Sequence, residues 1–278
     1  MKKQVFLSIS KWALFGLVLL LLYFPLIYII IQSFNSSATG TRLEGFTLKW
    51  YAKVFSDRDL IKAIGVSISM ALISTFLSVV FGTIAVVGIN SLNRKARRRV
   101  MLINSIPVLN ADIVTGVFLM LFFQFVMLIM PGVQVFGYTT MLLAHVFFST
   151  PYVVLSVLPK FREIDPNLYD AALDLGCRPR EALIKVILPS LKTGIIAGAL
   201  IAFTMSIDDF VISYMTSGNG VQNFSMWLYS IKTPLKNNAM QKASAYNTLV
   251  SLVSLALLIA YNIYTRFKGK NKKNEKNY

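Results

Sequence analysis

Three carboxylates stand inside strongly apolar stretches of this chain: Asp112, Asp208 and Asp209. A carboxylate in hydrocarbon costs at least about 2.5 kcal/mol, so such residues usually face a polar cavity or a partner. The chemistry that they offer is neutralisation of a cation crossing a membrane. Neighbouring helical residues point about 100° apart, so one of Asp208 and Asp209 can line a path while the other caps a helix or forms an ion pair. The alternative is that both serve only helix packing or assembly.

Aromatic side chains follow the aspartate pair and favour the same chemistry. Tyr214, Trp227 and Tyr229 can present ring faces to ammonium groups, which the ring quadrupole attracts. We therefore expect these rings and the three aspartates to form a path for a cationic solute.

Residues for enzymatic chemistry are missing from the sequence. There is no Gly-x4-Gly-Lys-Ser/Thr phosphate loop and no His-Glu-x-x-His motif. His145 is the only histidine, so no histidine cluster for a metal or for catalysis can form. We interpret His145 as a hydrogen-bonded packing residue rather than a proton relay. The prediction is a chain that is not an enzyme and binds no metal.

The elements that position these residues are transmembrane helices. Of 278 residues, 55% are hydrophobic and 14% are charged, which indicates a polytopic membrane protein. A crossing needs about 20 apolar residues. The predicted spans, which together form an all-α bundle, are 12–31, 64–89, 108–130, 138–158, 194–215 and 249–264. The apolar stretch 100–130 is too long for one straight crossing, and Pro107 predicts a break or a lead-in helix. We expect Trp50 and Tyr51 to anchor at the outer interface.

Basic residues set the expected orientation. With the N-terminus inside, 20 of the 28 Lys and Arg residues fall on the cytoplasmic side, as the positive-inside rule favours. The net charge of +16 lies in short runs beside the spans, which argues against nucleic-acid binding and fits contact with anionic membrane lipid. The predicted domains are an N-terminal span and outer loop (1–63), a transmembrane core (64–265) with a cytoplasmic loop (159–193), and a basic tail (266–278).

The cytoplasmic loop 159–193 has the local signals of two short helices. Asp165 is a candidate N-cap, Pro166 suits a first helical position, and Gly176 supplies the left-handed residue that ends a helix. Pro179 can begin the second helix, and Pro189 prevents its continuation into the fifth span. Apolar residues at helical spacing predict two stripes that pack together: Leu168, Ala171, Ala172 and Leu175, then Leu183, Val186 and Ile187. The alternative is an ordinary hairpin that merely joins two spans.

The sequence 169–176, Tyr-Asp-Ala-Ala-Leu-Asp-Leu-Gly, with Val186-Ile187-Leu188-Pro189, resembles the "EAA" loop of type I ABC importer permeases. Together with Ser206-Ile207-Asp208-Asp209-Phe210 and the chain length, it is most similar to the smaller permease subunits of spermidine/putrescine transporters. Asp170 stands where Glu is commoner and Val186 where Ile is usual, and both keep charge or shape.

The resemblance implies a bacterial cell-membrane permease that grips an ATPase through Asp170, Ala171, Ala172, Gly176, Leu188 and Pro189. It also implies a second permease subunit as heterodimer partner, two copies of a cytoplasmic ABC ATPase and an extracytoplasmic solute-binding protein. This chain would hold no cofactor, because ATP and Mg belong to the ATPase.

The expected function is ATP-driven import of polyamines, with solute passing from the binding protein to the cytoplasm. One alternative is the same machine with another cargo, such as sulfate, iron or thiamine, although an anion transporter does not need acids in its path. A carrier or channel that works without ATP is a second alternative, and it leaves the cytoplasmic loop unexplained.

Overall fold

The computed structural model describes residues 2–37, 42–130, 135–218, 220–231 and 238–275. Its helices before the cytoplasmic loop are α1 (Lys2–Phe34), α2 (Lys49–Ser56), α3 (Arg58–Ser91), α4 (Arg94–Leu109), α5 (Asp112–Ile129) and α6 (Tyr138–Arg162). Those that follow are α7 (Asn167–Asp174), α8 (Pro179–Ala182), a π-helical turn (Leu183–Ile187), α9 (Leu188–Ser190), α10 (Lys192–Ile207), α11 (Val211–Thr216), α12 (Phe224–Ser230) and α13 (Ala239–Glu275). Apart from an isolated bridge between Asn35 and Phe46, the described residues form no β-structure, which confirms the all-α prediction.

In the described part of the chain, four helices are long and apolar enough to cross a membrane, namely α3, α5, α6 and the part of α1 from Leu14 to Phe34. The segment 179–190 and α10, which meet at a bend of 70°, are together a candidate for a fifth crossing. The sixth predicted span, 249–264, falls within α13, whose side chains are described only in part. Six crossings and cytoplasmic termini therefore stay predictions. The basic tail, 266–278, lies outside the described side chains.

Two of the predicted spans are interrupted. The chain leaves the helical conformation at Asn110 and Ala111, just after Pro107, which confirms the predicted break between a lead-in helix and a crossing. The predicted span 194–215 is not one helix, because α10 ends at Ile207 and α11 begins at Val211. This correction matters for the aspartate pair, since Asp208 and Asp209 lie in the interruption rather than on a continuous helical face.

Helix α6 lies at the centre of the unit formed by residues 62–230. Glycines let its neighbours approach closely: a Cβ added at Gly198 would lie 3.1 Å from the Val153 Cα atom, and one at Gly194 would lie 3.0 Å from the Ser156 carbonyl oxygen. The Gly194-x3-Gly198 pair therefore forms a helix contact face against α6. Gly82 on α3 is equally close to Val153.

A second unit contains residues 1–61 and 231–278. In its described part, α13 contacts α1 and α2. Trp50 on α2 is only 1% exposed, and its indole donates a hydrogen bond of 2.6 Å to the Asn35 carbonyl oxygen. The Tyr51 hydroxyl lies 2.8 Å from that of Ser33. The expectation that Trp50 anchors in the lipid interface is wrong, because the ring is buried against its own chain.

Candidate coupling segment and solute path

We define the coupling segment as residues 165–191. Its first helix, α7, begins and ends at residues whose side chains or backbone conformation account for the boundary. The N-cap position of α7 is Pro166 rather than the predicted Asp165, but the Asp165 carboxylate accepts a hydrogen bond of 2.9 Å from the Asn167 amide at the start of the helix. At the other end Gly176 has φ +87°, and its amide donates to the Leu173 carbonyl across 2.8 Å. The Cys177 amide donates to the Ala172 carbonyl across 3.1 Å. These two bonds form a Schellman motif, so Gly176 closes α7 as predicted.

The second helix begins at Pro179, as predicted, and runs irregularly to Ser190. Its middle part is a π-helical turn in which the Leu188 amide donates to the Leu183 carbonyl. Pro189 lies two residues after this wide turn and has no amide hydrogen to continue an α-helical ladder. The chain then bends by 70° at Leu191 into α10. The segment thus stands at an angle to the span that follows it.

Ile187 and Leu191 attach the coupling segment to the transmembrane helices. Leu191 is fully buried, Ile187 is 4% exposed, and both belong to one apolar core cluster. The other buried members of this cluster are Val86, Ile89, Val153, Val154, Val157, Leu158 and Ala202. The segment therefore shares one close-packed core with α3, α6 and α10.

The predicted apolar stripe of α7 does not pack within the chain. Leu175 is 87% exposed, Leu168 and Ala171 are also exposed, and only Ala172 is buried. Tyr169 and Leu173 instead flank Ala172 on the inner face. The prediction that two stripes pack together is therefore wrong for the first stripe. The buried face of α7 instead carries Ala172 and the half-buried Tyr169 and Leu173, and Tyr169 packs with Leu183 of the second helix against the core cluster.

The exposed side of the coupling segment combines apolar and charged groups. Ile184, Leu188 and Pro189 are exposed on the second helix, and Asp170 is exposed on α7. A pocket of about 560 Å³ lies behind the segment, between α7 and the ends of α3 and α6. Its lining includes Val87, Asn90, Phe161, Arg162, Tyr169 and Leu183.

The interruption between α10 and α11 places the two adjacent aspartates in different surroundings. Asp208 is exposed, whereas the Asp209 side chain is 8% exposed. Asp209 accepts hydrogen bonds at Oδ2 from the Ser213 amide (2.7 Å) and the Ser213 hydroxyl (2.8 Å). It therefore caps α11, whereas no hydrogen bond of the Asp208 carboxylate occurs among the described contacts.

An aromatic trio lies next to the interruption. The ring centroids of Phe210 and Tyr229 are 4.9 Å apart, those of Phe210 and Tyr214 are 5.4 Å apart, and those of Tyr214 and Tyr229 are 5.9 Å apart. Tyr214 is 52% exposed and Tyr229 is 69% exposed. The trio joins two of the predicted path residues, and Phe210 completes it. Trp227 lies apart from the trio, because it is 8% exposed and stacks on Phe224.

Asp112 is the first residue of α5 and is exposed. Helix α5 contacts α11 at Gly116, where an added Cβ would lie 3.6 Å from the Ile212 Cα atom.

His145 on α6 is fully buried and bonded at both ring nitrogens. Its Nδ1 atom lies 2.6 Å from the Ser206 hydroxyl oxygen, and its Nε2 atom lies 2.9 Å from that of Ser213. This arrangement agrees with the interpretation of His145 as a hydrogen-bonded packing residue. In the described parts of the chain, no three His, Cys, Asp or Glu residues come together as a possible metal site.

Comparison with known proteins decides the class. The sequence profile of the family described as binding-protein-dependent transport system inner membrane component matches residues 74–272. The chain belongs to this family. The permease is 30% identical, over 90% of its length and 91% of the relative's, to the spermidine/putrescine transport system permease protein PotC of Escherichia coli K12. It is 33% identical, over 80% of each chain, to the putrescine transport system permease protein PotI of the same strain.

Solved structures show the same fold. The permease matches a chain of a bacterial ABC transporter involved in the import of the acidic polysaccharide alginate, with a TM-score of 0.70, 14% identity and coverage of 96% and 98% of the two chains. A chain of an amino acid ABC transporter matches with a TM-score of 0.56 and 15% identity, over 80% of the permease and 99% of that chain. The permease is thus a multi-pass inner-membrane subunit of an ABC importer, and ATP hydrolysis belongs to a separate subunit.

Several residues around the candidate path had no distinguishing signal in the sequence. Ser206 and Ser213 contact His145 from 61 and 68 residues away, and Asn223 contacts the Asp209 carbonyl oxygen from 14 residues away. Hydroxyl and amide side chains of this kind occur in many helices and turns. The one local signal is the spacing of Asp209 and Ser213, which fits a capping side chain four residues before its partner.

Proposed function

We propose that this permease forms one half of a polyamine import channel, with Asp112, Asp208 and Asp209 supplying the negative potential that a polycation requires. The observation that carries this proposal is the exposed Asp208 at an interrupted helix, two residues before Phe210 of an aromatic trio. Carboxylates attract ammonium groups, and aromatic faces hold them by cation–π interaction while the methylene segments contact the same rings. Interrupted helices commonly border the solute path of transporters.

The relatives support the same cargo class. Two permeases named for spermidine or putrescine transport cover most of this chain at 30% and 33% identity. An importer of an acidic polysaccharide matches in fold at only 14% identity, and fold alone carries no cargo. Tyr214 and Tyr229 face the solute in this proposal, whereas Trp227, which is buried and stacks on Phe224, does not.

The coupling segment is the proposed site of ATPase docking. Exposed Leu168, Ala171, Leu175 and Leu188 form the apolar contact, and Asp170 lies beside them. Closure of two ATPase copies around ATP would displace the segment. Ile187 and Leu191 would carry this displacement into α3, α6 and α10. The resulting movement of these helices would open the path towards the binding protein.

The proposed assembly contains this permease, a second permease, two ATPase copies and an extracytoplasmic solute-binding protein. One relative in the alginate importer was solved in complex with a pentasaccharide-bound periplasmic protein, which supports the last of these partners. ATP and Mg would bind the ATPase subunits, and membrane lipid would surround the spans.

Uptake by the assembled transporter in proteoliposomes tests the cargo class. We expect ATP-dependent accumulation of labelled spermidine or putrescine, a fall of about tenfold for Asp208→Asn and a comparable fall for Tyr229→Leu. Tyr229→Phe is the matched control, because it keeps the ring and removes only the hydroxyl group. ATP-dependent accumulation of labelled sulfate or thiamine, with none of spermidine or putrescine, would overturn the proposal.

A further inference from the structure

We propose that Asp209 is a positioning residue rather than a cargo ligand, and that His145, Ser213 and Asn223 complete a polar frame that holds the helix interruption open beside Asp208. The frame is defined by these four residues with Ser206 and Ser74. This division of roles rests on the proposed polyamine path, because it names which of the adjacent aspartates meets the cargo.

The Ser213 hydroxyl is the centre of the frame. It donates to Asp209 Oδ2 across 2.8 Å and accepts from the Asn223 side-chain amide across 2.9 Å. The His145 Nε2 atom lies 2.9 Å from the same oxygen. A hydroxyl has one hydrogen to donate and two lone pairs that accept, so Ser213 has no remaining capacity. Its orientation is therefore determined by three separate parts of the chain.

His145 extends the frame to two further helices. The network is satisfied when Nε2 carries the hydrogen and donates to Ser213, because Nδ1 then accepts from the Ser206 hydroxyl at 2.6 Å. The Ser206 oxygen lies 2.9 Å from the Ser74 hydroxyl on α3. When the Ser74 hydroxyl donates to Ser206 rather than to the Ala71 carbonyl oxygen, 3.3 Å away, the hydrogen bonds run in one direction from Ser74 to the Asp209 carboxyl group. Such a chain joins α3, α10, α6 and α11 without leaving a polar group of the imidazole unsatisfied.

The same frame satisfies the backbone at the interruption. When a helix is broken inside a membrane, the freed carbonyl groups need new donors. The Asn223 side-chain amide donates to the Asp209 carbonyl across 2.6 Å, and the Ser225 hydroxyl donates to the Asp208 carbonyl across 3.3 Å. The interruption is therefore a built feature, supported on one side by α6 and on the other by the segment before α12.

Asp208 and Asp209 differ in what they can offer a cation. The Asp209 Oδ2 atom already accepts two bonds from Ser213 and lies 3.6 Å from His145 Nε2, and its side chain is 8% exposed. The Oδ1 atom lies 3.4 Å from the Ile212 amide nitrogen, so an ammonium group would have to displace the neighbours that bury this side chain in order to reach it. Asp208 is exposed and its backbone is held in place, so its carboxylate can meet the cargo without such a cost.

The test uses the assembled transporter with its binding protein and compares Asp209→Asn, Asp208→Asn and His145→Gln, alone and in pairs. We expect Asp209→Asn to lower the maximal rate of uptake about tenfold or more for spermidine and putrescine alike, with less than about twofold change in KM. The reason is that loss of the frame misplaces the residues of the path, which slows the transport of every solute that uses it. Asp208→Asn should instead reduce spermidine uptake more than putrescine uptake, since spermidine carries the additional ammonium group.

Coupling between residues separates positioning from binding. The Asp209→Asn/His145→Gln double variant should have a melting temperature and an uptake rate no lower than those of the more impaired single variant, because both changes break the same frame. The Asp208→Asn/His145→Gln pair should show the product of the two single effects. His145→Leu should lose more uptake than His145→Gln, which keeps a donor and an acceptor.

The proposal is overturned if Asp209→Asn changes the spermidine-to-putrescine ratio and its effect multiplies with that of His145→Gln. Equal effects of His145→Leu and His145→Gln would also overturn it. The melting measurements need no cargo. If the unaltered transporter imports no polyamine, the proposed function fails, while coupling between Asp209 and His145 in melting still decides whether the frame exists.

Discussion

The Cys177 amide donates a hydrogen bond to the Ala172 carbonyl oxygen across 3.1 Å, and this bond crosses the left-handed residue Gly176. Ala172 is the one buried member of the predicted first stripe, so the bond ties the turn to the inner face of α7. The geometry of the turn therefore sets how the exposed residues of α7 are presented.

Replacement of Gly176 should weaken ATPase docking through backbone conformation alone. No atom lies within 4 Å of an added Cβ, but φ is +87°, and a non-glycine residue pays about 1–2 kcal/mol in the left-handed region. We expect Gly176→Val to reduce ATPase co-purification and uptake. Gly176→Asn is the matched control, because Asn tolerates this conformation and should retain most of both. Equal behaviour of the two variants would exclude a conformational cause.

Leu175 should contribute to partner binding and little to folding. Its side chain is 87% exposed, so Leu175→Ser removes almost no contact within the chain. We expect ATPase co-purification to fall by about tenfold, because burial of a leucine in an interface is worth about 1.5 kcal/mol or more. The melting temperature of the separately purified permease should stay unchanged. Loss of melting temperature without loss of the ATPase would show that Leu175 serves folding instead.

Gly198 should tolerate no side chain, because α6 is too close. An added Cβ would lie 3.1 Å from the Val153 Cα atom, which is backbone and cannot rotate away. We expect Gly198→Val to destabilise the permease by about 1–3 kcal/mol, in the range of overpacked cores. Gly88→Ala on α3 is the control, since nothing lies within 4 Å of its added Cβ. Thermal melting in detergent measures both, and a neutral Gly198→Val would show that the helices separate.

The ion pair between Asp57 and Lys242 should make stability depend on pH. Partial burial raises the pKa of Asp57. The 2.6 Å hydrogen bond from Lys242, the charge of Lys242 and the hydrogen bond from the Leu60 amide together lower this pKa by more than burial raises it. The pKa of Asp57 therefore lies below its ordinary value of 3.8. A carboxyl whose pKa is depressed on folding stabilises the folded state above that ordinary value and loses this contribution as the pH falls through the folded pKa.

Asp57→Asn should therefore lower the free energy of unfolding by about 1 kcal/mol at pH 7, and the difference from the unaltered protein should shrink below about pH 4. Melting curves across this range measure the difference. Lys242→Met should have a similar effect at pH 7. A difference that stays constant down to pH 3 would show that the charge of Asp57 contributes nothing.

Local chemistry explains why much of the coupling segment was predictable. Asp165, Gly176, Pro179 and Pro189 act through caps, a positive φ and a missing amide hydrogen, and each effect involves only residues a few positions away. The break after Pro107 has the same local origin. The buried face of α7 was not predictable in this way. The spacing of apolar residues along the sequence predicts an apolar stripe on the helix, but the helices that pack against α7 determine which side of it is buried.

Burial and long-range hydrogen bonding depend on residues that are remote in sequence. Trp50 has the sequence context of an interfacial anchor, yet its indole donates to Asn35, fifteen residues earlier. The interruption at Asp208–Phe210 lacks proline or glycine, and donors from Asn223 and Ser225 support it. No pattern along the chain contains such a partnership.

The amino-acid sequence by itself determined the membrane-spanning class, the capped and hinged coupling segment and the presence of acids in apolar stretches, because hydropathy, charge and backbone restrictions are local properties. Only the tertiary structure distinguished Asp208 from Asp209. The two residues are chemically identical neighbours, and their difference arises from where Ser213, His145 and Asn223 are placed by the packing of α6, α11 and the segment before α12.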